Sequence, residues 1–221
     1  MVNDYVRSVY NWMAVGLILT GAVAWYTANS DALLRLIYGN SLILIALIVG
    51  QLALVFSLSG WINRMSAGTA TALFILYSGL TGLTLSFIFL IYTSASIVST
   101  FFICGATFFA VSIYGWTTKR DLTSLGGFLM MGLFGIIIAS VVNMFIASST
   151  MTKVVTYIGV FVFIGLTAYD TQKLKHMALT QPADVDGAVI RKGAILGALS
   201  LYLDFINLFL MLLRIFGQRR D

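Results

Sequence analysis

A chain of 221 residues that is 60% hydrophobic and 10% charged, with a mean hydropathy of +0.98, is not a soluble globular domain, because such domains carry charge on about a quarter of their residues. With one proline and no long polar stretch, it has no room for a separate soluble domain and reads as one membrane domain over residues 1–221. The net charge of +5 comes from basic loops, for which anionic lipid headgroups are the counter-charge; no basic run is long enough, or interleaved with exposed aromatics, to indicate nucleic acid.

The first residues, MVNDYVRSVYN, are polar and lead into WMAVGLILTGAVAWYTA. Ala22-Val23-Ala24 imitates a signal-peptide cleavage site. Only one arginine precedes the apolar run, however, and many hydrophobic stretches follow, so a retained first span over 11–28 is expected. About 20 apolar helical residues cross the ~30 Å hydrocarbon layer. Six further stretches meet that need, at 41–58, 70–92, 97–116, 125–147, 154–174 and 193–214. Their long apolar runs lack the two-residue alternation of a membrane barrel. The expected fold is therefore all-α, with seven transmembrane helices.

Only Thr93-Ser94-Ala95-Ser96 separates the third and fourth spans, which predicts a tight helical hairpin. Cys104, the only cysteine, lies in the apolar run FFICGATFFA. It allows no intramolecular disulfide and no thiolate metal cluster, and is expected to be a small buried residue. Gly79, Gly82 and Ser86, then Gly132 and Gly135, then Gly193 and Gly197 predict close helix approach, as small residues do in lipid. The loop QPADVDG, with Pro182, is the one turn-rich connection.

Loop charges set orientation. Arg7, Arg64, Lys119, Arg120, Lys173, Lys175, Arg191 and Lys192 fall on the N-terminal side, against Arg35 and Lys153 on the other. This predicts a cytoplasmic N-terminus. Seven full spans then carry the basic tail, with Arg214, Arg219 and Arg220, to the opposite side. A last segment that enters and returns would remove that conflict, but its length of about 22 residues argues for a full span.

The eight acidic residues are all Asp, and two of them, Asp170 and Asp204, lie within apolar sequence. A carboxylate at the centre of a lipid-embedded helix costs roughly 2.5–3.5 kcal/mol on insertion scales, so it faces the protein interior and has a role. In the seventh span Gly193, Gly197, Ser200, Asp204, Asn207 and Met211 follow alternating steps of four and three, which places them on one helical stripe. Ser200 and Asn207 are thus candidate pore-lining residues, as is Asn143 in the fifth span; helix-to-helix hydrogen bonding is the plainer reading of Asn143. The plain alternative for Asp170 is an interfacial residue paired with Lys173. For Asp204 it is a protonated carboxyl bonded to a neighbouring helix.

At 1.5 Å per residue Asp204 lies roughly 16 Å into its span and Asp170 about 6 Å from the end of its own, a depth mismatch on the order of 10 Å for straight, parallel helices. A tilt, a longer sixth helix or a later start of the seventh would remove it. Two carboxyls that meet in low dielectric cannot both ionise cheaply; they would share a proton and titrate in two separated steps, a pH-sensitive latch. Arg64, after the second span and on the same side as Asp170, is the candidate to hold such a latch closed by charge-assisted hydrogen bonds; a simple positive-inside anchor is the alternative. His176 reads as an interface residue.

The stretches GLTAYDTQKLK and LSLYLDFINLFLMLLRIFG resemble the signature of the transmembrane Bax inhibitor motif family, and the number of spans and overall length are similar to its bacterial members. The resemblance implies six helices wrapped around a central C-terminal helix, and a pH-dependent calcium leak in a bacterial inner membrane. It assigns the family's paired aspartates to Asp170 and Asp204, and a family arginine to Arg64. The acidic sixth loop, with Asp184 and Asp186, is long for such a member, and the second span offers Gln51 but no acid. Calcium takes six to eight oxygen ligands, so two carboxylates with hydroxyl and amide helpers hold it weakly and transiently, as conduction requires.

The expected function is a pH-sensitive calcium leak channel, with calcium ions and protons as its partners, no cofactor and no enzymatic activity. The alternatives are a proton-coupled cation exchanger using the same pair, and a membrane interaction protein that regulates a stress or protease partner without transport. An intramembrane aspartyl protease also needs two aspartates, but its second motif carries Gly beside Asp, whereas Asp204 sits between Leu203 and Phe205.

Overall fold

The computed structural model describes residues 2–180 and 186–220, with side chains from residue 4 onward. The loop expected around Pro182 and Asp184 lies outside the described residues. The elements are α1 (Val2–Ala28), α2 (Asp31–Tyr38), α3 (Ser41–Trp61), a 3-10 turn (Ile62–Arg64), α4 (Ala67–Leu85), α5 (Ile88–Ile91), α6 (Ser94–Thr117), α7 (Thr123–Ile146), α8 (Ser149–Thr180) and α9 (Gly187–Phe216). Seven helical segments are long and apolar enough to cross a membrane, α4 and α5 forming one of them together. The fold is all-α, as the long apolar runs predict.

Helix ends extend past the apolar runs wherever charged residues remain good helix formers. Helix α1 begins at Val2 because Tyr5, Val9 and Met13, four residues apart, are all buried. Helix α8 continues to Thr180, burying Leu174 and Ala178. Helix α9 starts at Gly187, where the Asp186 carboxylate accepts the Ala188 N–H at 3.0 Å, the usual way an N-terminal donor is satisfied. Helices α1, α8 and α9 thus extend beyond the spans expected at 11–28, 154–174 and 193–214: charge ends the hydrocarbon-compatible run, not the helix.

The chain forms two compact units: residues 1–93, 178–202 and 219–221 make the first, and residues 94–177 and 203–218 the second. Helix α9 contributes residues to both units. In the first unit Gly82 lets α4 approach α1 closely; a Cβ there would lie 2.7 Å from the Thr20 carbonyl oxygen and from Val23 Cβ. Gly79 has open space beside it. Helix α2 was not expected. Its Tyr38 hydroxyl docks at the break between α4 and α5, 3.0 Å from the Thr84 carbonyl and from Ser86 Oγ, and accepts the Phe87 N–H at 3.1 Å. One phenol thus satisfies backbone groups that the interrupted helix frees, which a span in lipid requires.

Exposure follows hydrocarbon logic. Only 6% of the most apolar stretch of α3 is buried and 11% of that of α7, against 67% for α9, the most buried of the seven spans. Leu42, Phe56, Phe134 and Phe145 are all more than half exposed, as suits side chains whose solvent is lipid.

Helix α9 runs unbroken to Phe216, and the tail turns back onto the hairpin between the third and fourth spans. The Arg220 N–H donates to the Ile91 carbonyl at 2.9 Å and its guanidinium to the Phe89 carbonyl at 2.8 Å. Gln218 N–H donates to Ser96 Oγ at 3.2 Å. The C-terminal tail thus lies beside the connection between the third and fourth spans.

Candidate functional site

The site lies in the second unit, where α8 presents Asp170 and α9 presents Asp204. Their carboxyl groups are near enough to interact with each other. Asp204 is 5% exposed, and its Oδ2 has no hydrogen-bond partner. Asp170 is half-buried, with Lys173 as the nearest cation one turn later on the same helix.

The depth mismatch expected from straight helices does not keep them apart. Both helices run beyond the ends assumed for them, so counting residues from those ends is the step that fails.

Successive residues beside Asp170 are each tied to a different neighbour, because a helix turns by about 100° per residue. Tyr169 lies against Gly126 of α7, where a Cβ would come within 2.5 Å of the ring. Thr171 Oγ1 donates to Ser112 Oγ of α6 at 3.5 Å. Gln172 accepts the Leu122 N–H and donates to the Arg120 carbonyl, both at 2.8 Å. Lys175 donates to the Trp116 carbonyl at 2.5 Å with its ammonium 5.8 Å from the centre of the Trp116 ring, a cation at the negative end of α6. Gly115 of α6 meets the Ala168 carbonyl so closely that no side chain fits between. Asp170 is thus held from three sides by the motif that carries it.

Asp204 is fixed by its own neighbours. Tyr202, in the first unit, shares a 2.6 Å hydrogen bond with Thr20 and packs edge-on against Phe74 and Tyr77. Phe205, in the second, packs edge-on against Phe101 and Phe108 at 5.5 and 5.4 Å, and its carbonyl receives the Cys104 thiol at 3.7 Å. Cys104 is fully buried, as its apolar setting predicts.

Arg64 ends the 3-10 turn in the first unit, exposed and without a hydrogen-bond partner among the described residues. Asn207 turns its amide back to the Leu203 carbonyl at 2.8 Å, which leaves the polar stripe of α9 narrower than its spacing suggests. Ser200 is half-buried in the first unit. Asn143 closes the α7–α8 turn, donating to Thr152 Oγ1 at 2.7 Å and accepting the Ser148 N–H at 3.0 Å. His176 is exposed near the end of α8 and interacts with Asp121. Hydrogen bonds from Thr123 hold the Asp121 carboxyl below its ordinary pKa, with His176 adding to the effect. Among the described residues no group of three or more His, Cys, Asp or Glu side chains gathers as a metal site.

Sequence reasoning missed Gln172, Thr171 and Lys175 as supports. Their signal was present in DTQKLK: a run of polar residues at the end of an apolar span.

A family model described as "Inhibitor of apoptosis-promoting Bax1" matches residues 2–221. Inner membrane protein YbhL of Escherichia coli strain K12 is 59% identical over 219 residues, covering 99% of this chain and 93% of that protein. Protein RP147 of Rickettsia prowazekii is 47% identical over 222 residues, covering 100% and 92%. Membrane protein M6_Spy0327 of Streptococcus pyogenes is 36% identical over 219 residues, covering 98% and 93%. Seven apolar spans and a match along essentially the whole chain make this a multi-pass integral membrane protein that belongs to the Bax inhibitor-1 family.

Proposed function

We propose that the protein is a pH-gated calcium leak channel in which Asp170 and Asp204 share one proton when the path is closed. The observation that carries this reading is the proximity of two carboxyls from different helices, one of them buried with an unpartnered oxygen. Two like charges in contact within a low-dielectric span repel, whereas a shared proton lets one carboxyl donate to the other. Loss of that proton converts an attractive contact into a repulsive one and frees acceptors for a cation. Two carboxylates, with no larger acidic cluster among the described residues, suit weak binding and rapid exit, which favours a leak over a store.

Asp170 and Asp204 attract the ion; the protein supplies no cofactor to this chemistry. The N-terminus is cytoplasmic in this reading, in a bacterial inner membrane, on the balance of loop charge and the inner-membrane relative.

Calcium flux into liposomes holding the purified protein, scanned from about pH 5 to pH 8, tests the proposal. Flux that rises with pH in the native protein and loses its pH dependence in Asp170→Asn and Asp204→Asn supports it. Unchanged pH dependence in both variants removes the pair from the gate. Calcium moved against its gradient by an imposed proton gradient would make the protein an exchanger instead. No flux at any pH would make it an interaction protein.

A further inference from the structure

One face of α1 grades from charged to apolar along its length. Asp4, Arg7, Ser8, Asn11, Trp12 and Val15 line an open groove of about 380 Å³; their spacing of three and four residues puts them on one helical stripe. Val15 and, beyond it, Ile18 are exposed. Tyr5, Val9 and Met13 turn inward from the same turns and are buried.

Helix α9, in the same compact unit, adds a second cation. The Arg191 guanidinium lies over the Trp12 ring, 5.7 Å from its centre, a geometry that holds both groups in place. The Tyr5 hydroxyl donates to the Gly193 carbonyl at 3.2 Å and fixes the start of α9 beside α1. Arg7 and Arg191 are exposed, and neither guanidinium has a hydrogen-bond partner among the described residues. Lys192, by contrast, donates to the Asn63 carbonyl at 3.4 Å. Asp4 is the one acid lining the groove and offsets part of the charge of Arg7. Two arginines against one aspartate leave the groove and its rim positive.

The order of side chains matches the order of chemistry across half a bilayer. At 1.5 Å per residue Trp12 lies about 7–8 Å along α1 from Arg7, and Val15 about 12 Å. The interfacial layer on each side of the hydrocarbon is roughly 5–7 Å thick. With Arg7 at the level of the phosphates, Trp12 stands at the edge of the hydrocarbon, the depth tryptophan favours, and Val15 and Ile18 stand within it. A soluble anion would use only the polar end of this face. A second copy of the chain docked face to face would set arginine against arginine.

We propose that the α1 groove is a binding site for one anionic phospholipid, its phosphodiester held by Arg7 and Arg191 and its first acyl carbons lying along Trp12, Val15 and Ile18. The site is independent of calcium transport.

The test uses the full-length protein in phosphatidylcholine vesicles containing phosphatidylglycerol brominated on its acyl chains, which quenches tryptophan emission on contact. The difference between the native protein and Trp12→Phe isolates Trp12 from the other three tryptophans. Trp12 emission should be quenched saturably at low mole fractions of brominated phosphatidylglycerol, and by brominated phosphatidylcholine only in proportion to its amount. Each arginine near a membrane surface is worth about 1 kcal/mol of attraction to anionic lipid, or about fivefold. Arg7→Gln, which leaves the Arg191–Trp12 contact intact, should therefore raise the half-saturating fraction about fivefold, and Arg7→Gln with Arg191→Gln further. Asp4→Asn should lower it. Lys119→Gln with Arg120→Gln removes two charges from another exposed loop and should leave it unchanged. Equal quenching by the two brominated lipids overturns the site. So does an equal loss in the Lys119, Arg120 variant, which would make the attraction a property of the whole basic surface. Displacement by glycerol phosphate in the buffer would make the groove a site for soluble phosphate and overturns the lipid.

Discussion

Asp204→Asn isolates the electrostatic core of the account. In the native protein, full ionisation of the pair sets two charges side by side; at roughly 4 Å and an effective dielectric of about 20 their repulsion is about 4 kcal/mol. The asparagine amide removes one charge and supplies a donor to the Asp170 carboxylate, a bond to a charged group typically worth about 1.5–3 kcal/mol. Like-charge repulsion sets the sign: native stability falls as pH rises and the shared proton leaves. Thermal unfolding in detergent at about pH 5 and pH 8 reads this out, with roughly 2–4 °C per kcal/mol for a chain of this size. The native protein should melt about 8–16 °C lower at the alkaline end, and Asp204→Asn should be nearly level between the two. A variant that keeps the native slope, or melts lower than native at pH 8, refutes the reasoning.

Gly126→Leu drives a side chain into the Tyr169 ring beside Asp170; overpacking of this kind costs about 1–3 kcal/mol, and the midpoint of the flux–pH curve should move with the melting temperature. Ala147, the one non-glycine residue with positive φ among the described residues, at 53°, ends α7 in a conformation glycine adopts freely, so Ala147→Gly should stabilise by about 1 kcal/mol; a lower melting temperature would count against this. Tyr38→Phe strips the hydroxyl from the α4–α5 break and should cost about 1–3 kcal/mol through the backbone groups left unpaired, seen as faster amide exchange at Phe87. Arg64→Ala should raise calcium flux at the acidic end if this arginine helps hold the closed state; flux identical to native removes it from the gate.

The seven spans were legible because lipid demands apolar length, and length is written directly in composition. The two aspartates were legible for the same reason, as exceptions to it. Helix ends were not, since Lys173, Lys175, Arg191 and Lys192 leave the hydrocarbon without leaving the helix. Helix α2 was missed because eight amphipathic residues in a loop lack the length that marks a span. Contacts such as Gly126 with Tyr169, or Gln172 with the α6–α7 loop, depend on which helices are neighbours, and periodicity within one helix carries no such information. Asn143 follows the plainer of its two readings, hydrogen-bonding Thr152 of the next helix and the Ser148 N–H of the turn between them.

The shared proton itself is measurable by infrared difference spectroscopy of the protein in lipid, following the carboxylic acid C=O stretch. The account predicts a protonated carboxyl at neutral pH whose band disappears on alkalinisation, shifts in deuterated water, and is altered in both Asp170→Asn and Asp204→Asn. No protonated carboxyl at neutral pH, or a band indifferent to both substitutions, would contradict it.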